Sequence, residues 1–244
     1  MDRNRWKTDV KSFDPAPWPC PTCGDGRLRQ DGILQEQTRD SRRAHEDYPD
    51  DWEPEWVEER FQALLRCQDC NDIIFAIGVN AYEEDYYERE ITWNPVFKPL
   101  YIYPAPHIVR LTEIPDKVSA ELLKSFALYW SDPSASGNAI RRAVERMMDE
   151  RRVPKTQATK KGRKRRTLHS RIKAFGGLAN KNKTPSERLI AVKWLGNAGT
   201  HNELTHKDVL DALEIIESVL DSVYRPKRIE SLVKAVLRKK GPTT

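Results

Sequence analysis

The sequence has no long apolar run and no cysteine beyond four. Its longest uninterrupted apolar stretch is Ile73 to Ile77, which continues only through Gly78 to Val79. That is far short of the roughly 20 residues a membrane-spanning helix needs, so no segment is expected to cross a bilayer. The first residues, Met1 to Lys11, alternate in charge and lack the apolar core of a secretory signal, and a cytoplasmic protein is expected. The 244 residues are 32% charged and 38% hydrophobic. This is apolar enough for packed cores, at a length that suggests one large or two small domains.

The net charge of +5 hides an asymmetry. Residues 1 to 114 carry 14 basic and 23 acidic side chains, net −9, whereas residues 115 to 244 carry 28 and 14, net +14. A surface of the second kind attracts polyanions by counterion release, and one of the first kind repels them. A nucleic-acid partner is therefore expected on the second half.

The four cysteines form two Cys-x-x-Cys pairs, Cys20 with Cys23 and Cys67 with Cys70. Each pair sits on a turn, Pro19-Cys-Pro-Thr-Cys-Gly24 and Arg66-Cys-Gln-Asp-Cys-Asn71. On such turns two thiolates can approach one ion at about 2.3 Å and complete a tetrahedral four-sulfur shell. A structural zinc site is expected, with a redox dithiol or another metal as the alternatives. A closed four-thiolate shell leaves no open position for catalysis. The spacer between the pairs is 43 residues, against about 15 to 20 in compact ribbons, which implies an insertion. Residues 36 to 60 are the expected insertion, an acidic loop or short helix packed by Trp52 and Trp56.

Around the cysteines the apolar period is near two, and Arg60 to Arg66, Ile73 to Val79 and Tyr86 to Trp93 are candidate strands. Pro99 to Pro106 reads as extended, and the pattern changes at Ile114-Pro115. A zinc-ribbon domain is thus expected over 1–114 and a helical bundle over 115–244, an α+β protein whose ribbon carries a small antiparallel sheet. In the second half Val118, Leu122, Phe126 and Tyr129 form one helical stripe, and Ile140, Ala143, Val144 and Met147 another. Thr205-His-Lys-Asp208 has the form of a capping box opening a helix that should end at Tyr224, before Pro226. Thr184-Pro-Ser-Glu187 reads as a second box, opening a helix through Leu189, Val192 and Leu195. With Leu168 to Phe175 and Ile229 to Arg238, five or six helices are expected.

Trp194-Leu-Gly-Asn-Ala-Gly-Thr-His201 places two glycines in a helical pattern, each costing about 1 kcal/mol relative to Ala. Asn197 and His201, four apart, share a face if the helix continues. The glycines either admit a neighbouring helix or mark a functional segment around His201.

These residues, together with the Cys-Pro-Thr-Cys-Gly knuckle, the Tyr-Ile-Tyr-Pro-Ala-Pro stretch and the Ala-Ile-Arg-Arg-Ala-Val-Glu helix, resemble a bacterial domain family of unknown function. That family is related to the HEPN (higher eukaryotes and prokaryotes nucleotide-binding) superfamily. The resemblance implies an all-α HEPN-like bundle that forms homodimers, and relatives beside restriction and anti-phage systems, hence a defence-system protein partner. Many such proteins are metal-independent ribonucleases with an Arg, four to six intervening residues and then a His. The Arg stabilises phosphate charge and the His assists proton transfer at the ribose 2′-hydroxyl. His201 matches that histidine and Asn197 the polar residue within the motif, but Trp194, Leu195 and Gly196 stand where the arginine should be. Arg141, Arg142 and Lys193 are the cations that could substitute.

Between helices lies Lys160-Lys161-Gly162-Arg163-Lys164-Arg165-Arg166, six basic residues in seven, within a basic loop over 155–166. It is expected to be a mobile, solvated loop or a phosphate-backbone contact, RNA being favoured over DNA. Arg151, Arg152, Lys173, Lys181 and Lys183 extend the basic footprint. Without a spaced aromatic set, a base-stacking platform is not expected. The sequence thus leaves two functions open, a nucleic-acid binder with ribonuclease activity or a non-catalytic adaptor.

Overall fold

A computed structural model describes residues 1–49, 53–87, 90–160, 162–198, 203–225 and 232–238. The protein is a mixed α+β chain with two compact units. The first is Met1–Ile108 with Phe126–Asp132, and the second is Val109–Ser125 with Pro133–Thr244. The sequence expectation divided the chain between residues 114 and 115. No helix among the described residues is long and apolar enough to cross a membrane.

The first unit is built on a four-stranded antiparallel meander, β1 (Leu28–Gln37), β2 (Glu59–Cys67), β3 (Ile73–Tyr87) and β4 (Glu90–Tyr103), in that spatial order. Strand β2 shows why it is a strand: Phe61, Ala63, Leu65 and Cys67 point inward and are buried, while Arg60 and Gln62 face water. Three rings close the core, Phe13, Phe61 and Phe97, with centroids 5.0 to 5.4 Å apart. Trp18 meets Trp130 edge-on at 5.1 Å, and the buried Tyr129 hydroxyl donates to the Trp6 carbonyl at 2.8 Å.

Strand β4 lies at the sheet edge, where Pro95 and Pro99 are tolerated because a missing N–H there breaks no inner ladder. The β3–β4 register shifts at Ile77/Gly78, and a Cβ added at Gly78 would run into the Lys98 carbonyl and stand 2.8 Å from the Cα of Pro99. Only Gly permits this close approach.

Tyr86 to Trp93 is not one strand: β3 ends at Tyr87 and β4 begins at Glu90, so the stretch spans the tip of a long hairpin. The 43-residue spacer contains both paired strands, and the expected insertion over 36–60 coincides with their connection over 38–58. That connection carries α1 (Arg39–Asp47), capped by the Thr38 hydroxyl, which accepts from the Ser41 amide. Trp56 is 43% exposed, and Trp52 lies outside the described residues.

The helices are α2 (Asp116–Leu128), α3 (Pro133–Glu150), α4 (Leu168–Gly177), α5 (Lys183–Ala198) and α6 (His206–Tyr224). The last turn of α2 belongs to the first unit, and its residues 116–125 belong with the other four helices to the second. In the second unit Val118, Leu122, Ile140, Met147, Ile172, Leu189, Leu213 and Ile216 are almost fully buried. Residues 232–238 are helical as well.

Helix α6 begins and ends where the sequence says. The Thr205 hydroxyl accepts from the Asp208 amide at 3.2 Å, and the Asp208 carboxylate accepts from the Thr205 amide at 2.9 Å. Thr205→Ala removes an N-cap worth about 1 kcal/mol, and urea denaturation of the second unit should read that loss. The second box fails. A 3-10 turn at Asn180–Asn182 winds directly into α5, so Thr184 is already helical and cannot cap it. Ser186, the third residue of that box, is buried instead and donates to the Ile172 carbonyl at 2.8 Å.

Candidate metal centre and basic hairpin

The two knuckles end up together because they terminate paired strands. Leu28, at the start of β1, lies opposite Cys67, at the end of β2. The knuckles are built alike. In the first, the Gly24 amide donates to the Cys20 carbonyl at 2.9 Å and Gly24 has φ +90°. In the second, the Asn71 amide donates to the Cys67 carbonyl at 3.0 Å and Asn71 has φ +62°. Gly and Asn are the residues that enter this left-handed region at least cost.

The four sulfurs lie within 4.8 Å of one another, with Cys20–Cys70 and Cys23–Cys67 both at 3.7 Å. A tetrahedron with metal–sulfur bonds of about 2.3 Å has edges of about 3.8 Å, so the four fit a single tetrahedral ion. Space is reserved for them. A Cβ on Gly26 would run into the Cys67 sulfur and stand 2.7 Å from that of Cys23. Burial pushes the Cys20 thiol up to about 12. Burial also opposes ionisation of Cys67, but amides of Cys70 and Asp69 overcome it and draw that thiol down to about 7. A divalent cation among the four would lower all of them.

The described part of the basic run belongs to a β-hairpin and is not an irregular loop. Thr156–Thr159 (β5) and Gly162–Arg165 (β6) form a two-stranded hairpin, pairing Thr156 with Arg165 and Thr159 with Gly162. Gly162 turns the chain at φ +107°, and the Arg166 amide closes the base on the Lys155 carbonyl at 2.8 Å. Lys160, Arg163, Lys164 and Arg165 are exposed, Arg166 is half-buried, and Lys161 lies outside the described residues. Arg151 is engaged elsewhere, donating to the Val223 carbonyl and lying 4.9 Å from the centre of the Tyr224 ring.

His201 and the side chain of Asn197 lie outside the described residues, although Asn197 itself is in the last turn of α5. Arg142 is not an open cation: its Nε donates to the Glu121 carboxylate at 2.9 Å. Arg141 is on the same helix, α3, and Lys193 on α5. The structure brings Arg142 together with Arg146 and Lys124 around Glu121.

Glu121 is buried, and Arg142, followed by Lys124, holds its carboxyl below 4.5. Its contribution to stability is therefore complete above about pH 4.5 and fades as pH falls through the lower folded value. Thermal melts of wild type and Glu121→Gln should diverge at neutral pH and converge toward pH 3.

Sequence reasoning missed a second cluster in the same unit. Glu145, Arg146, Asp149, Lys155, Arg165, Arg166, Leu168 and Arg171 line a cavity of about 150 Å³. Asp149 binds Arg171 at 2.7 Å and Lys155 at 3.0 Å. One signal was present. Arg171 occupies the apolar stripe of α4, in phase with Leu168, Ile172 and Phe175, all buried.

Two family models match the chain. Residues 10–102 match a domain of unknown function (DUF8608) and residues 124–241 another domain of unknown function (DUF4145). No curated protein and no solved structure matches.

Proposed function

We propose that the protein binds nucleic acid, RNA ahead of DNA, through its second unit, while a zinc ion held by Cys20, Cys23, Cys67 and Cys70 staples the first. The observation that carries the reading is the hairpin. It offers Arg163, Lys164 and Arg165 to solvent on a paired backbone, with Lys160 at the turn, so less conformational freedom is lost on binding than with a disordered basic tail. Such contacts follow the phosphate backbone and do not read bases. The zinc supplies a cross-link between the β1 and β2 termini and no chemistry of its own, since its shell would be closed.

Titration of the full-length protein with labelled RNA of 10, 20 and 30 nucleotides tests the reading. Saturable binding with a defined site size supports it, and absence of binding at low salt overturns it. The HEPN resemblance adds ribonuclease activity to the proposal, with His201 as the proton-transfer residue. Incubation of wild type and His201→Ala with structured and single-stranded RNA, without added metal, checks this on a denaturing gel. Cleavage lost in the variant is the expected result.

A non-catalytic adaptor is the second reading, favoured by the outer face of the sheet. There Phe75 pairs with Tyr103 and Ile77 with Tyr101, and Tyr103 is 75% exposed. An apolar face of this kind is a common protein-docking surface.

A further inference from the structure

The Arg-lined cavity is a built site, and the metal centre and the hairpin's outer face leave it unexplained. Five cationic side chains, Arg146, Lys155, Arg165, Arg166 and Arg171, line it against two carboxylates, Glu145 and Asp149. Asp149 is occupied: it accepts from Arg171 Nη2 and Lys155, and Arg146 Nη1 stands 3.9 Å away. The second donation of Arg171 goes to the Val153 carbonyl at 3.1 Å.

What remains is a surplus of donors. Arg171 is only 7% exposed, yet its Nε has no hydrogen-bond partner among the described residues, and neither has the buried Nε of Arg166. Buried guanidinium N–H groups are costly to leave unpaired. Beside five cationic side chains and two carboxylates, a small anion rich in oxygen would answer that surplus.

We propose that this cavity binds the terminal phosphate of a phosphomonoester. A terminal phosphate carries about −1.5 to −2 charge at pH 7 and three acceptor oxygens, which matches the cation surplus better than the single charge of an internal phosphodiester. The cavity of about 150 Å³ far exceeds the ~10–15 Å³ that one water requires, so it admits a tetrahedral oxyanion. A groove of about 450 Å³ shares Arg146, Asp149 and Lys155 with it and continues past Lys117, Ala120 and Glu121, giving the esterified remainder a place to lie. Arg165 and Arg166 close the hairpin side, so one ribbon serves both surfaces. The same chemistry could arrive on a free mononucleotide or on the 5′ end of a strand. A mononucleotide ligand would stand even if the backbone-binding reading failed.

The test titrates full-length protein with inorganic phosphate, with adenosine 5′-monophosphate, and with two RNA octamers differing only in a 5′-phosphate or 5′-hydroxyl. Each charge-assisted hydrogen bond lost should cost about tenfold or more in affinity. Preference for the 5′-phosphorylated octamer, erased by Arg166→Gln, supports the strand-end source. Mononucleotide binding erased by the same substitution, with both octamers equal, supports the free-nucleotide source. Arg165→Gln, at an exposed position, repeats the reading if Arg166→Gln melts early. Equal octamer affinities with no binding of phosphate or mononucleotide would overturn the proposal, as would a phosphate preference that both folded variants retain.

Discussion

Cys67→Ser is expected to release the metal from the protein and leave the first unit open to protease while the second unit stays folded. Cys67 is the best-placed of the four to report, being buried at the end of β2 opposite Leu28 and 3.7 Å from the Cys23 sulfur. Losing one of four thiolates removes both a ligand and the closed shell. Structural zinc in small modules contributes roughly 10 to 16 kcal/mol of apparent binding energy that is also folding energy. The first unit has an aromatic core of its own, so the sheet should loosen from the knuckles outward and not unravel at once. Elemental analysis should find about one zinc per wild-type chain and none in the variant. Limited proteolysis should cut the first unit of the variant and spare the second. Gly26→Ala gives a milder version with all four thiolates intact: its Cβ has no room beside the sulfurs of Cys67 and Cys23, so metal should exchange faster with a chelator. Wild-type protein purified without chelators and found to contain no zinc would remove this part of the account.

The second large effect is electrostatic. Replacing all six basic residues between Lys160 and Arg166 by Gln should flatten the salt dependence of RNA binding. If all six contact single-stranded phosphates, log affinity falls against log salt with a slope of about −4, and on a duplex about −5. Between 50 and 200 mM salt that slope costs the wild type a few hundredfold on single strands. The variant should bind weakly and almost independently of salt. The hairpin should survive, because the pairing of Thr156 with Arg165 and of Thr159 with Gly162 is made by the backbone. An unchanged slope in a folded variant would move the nucleic-acid contact away from the hairpin.

What the sequence made legible was whatever depends on local chemistry. Two Cys-x-x-Cys turns identify their own site because thiolate spacing is fixed by the ion, and Thr205 with Asp208 identifies a helix start because both halves of the box lie within one turn. The strand β1 was invisible for a physical reason. Among its residues only Leu28 is buried, Asp31 and Gly32 interrupt it, and its register shifts between Gln30 and Gly32, so no alternation survives. β5 and β6 are exposed along their whole length and carry no apolar face at all; they are strands because each finds the other. Thr184 misled because a capping motif works only where the chain first turns helical, and the preceding 3-10 turn had already turned it. The phosphate cavity was the least legible feature. Its cations are spread from Arg146 to Arg171, and packing gathers them; only Arg171, standing in an apolar stripe, broke a local rule.

The β1–β2 pairing gives the metal centre an order of events. Bringing the ends of a free 43-residue spacer together costs about 3 kcal/mol in chain entropy beyond a constant, and an ion captured by one knuckle of an unfolded chain would face that cost before finding the other two sulfurs. Once Leu28 stands opposite Cys67 the cost has been met by the sheet, and the second pair waits within a few ångströms of the first. If zinc is the ion, its loading should therefore follow strand pairing: an apo chain whose aromatic core still holds β1 against β2 should take up zinc faster than one kept unfolded in urea, and equal rates would remove the ordering.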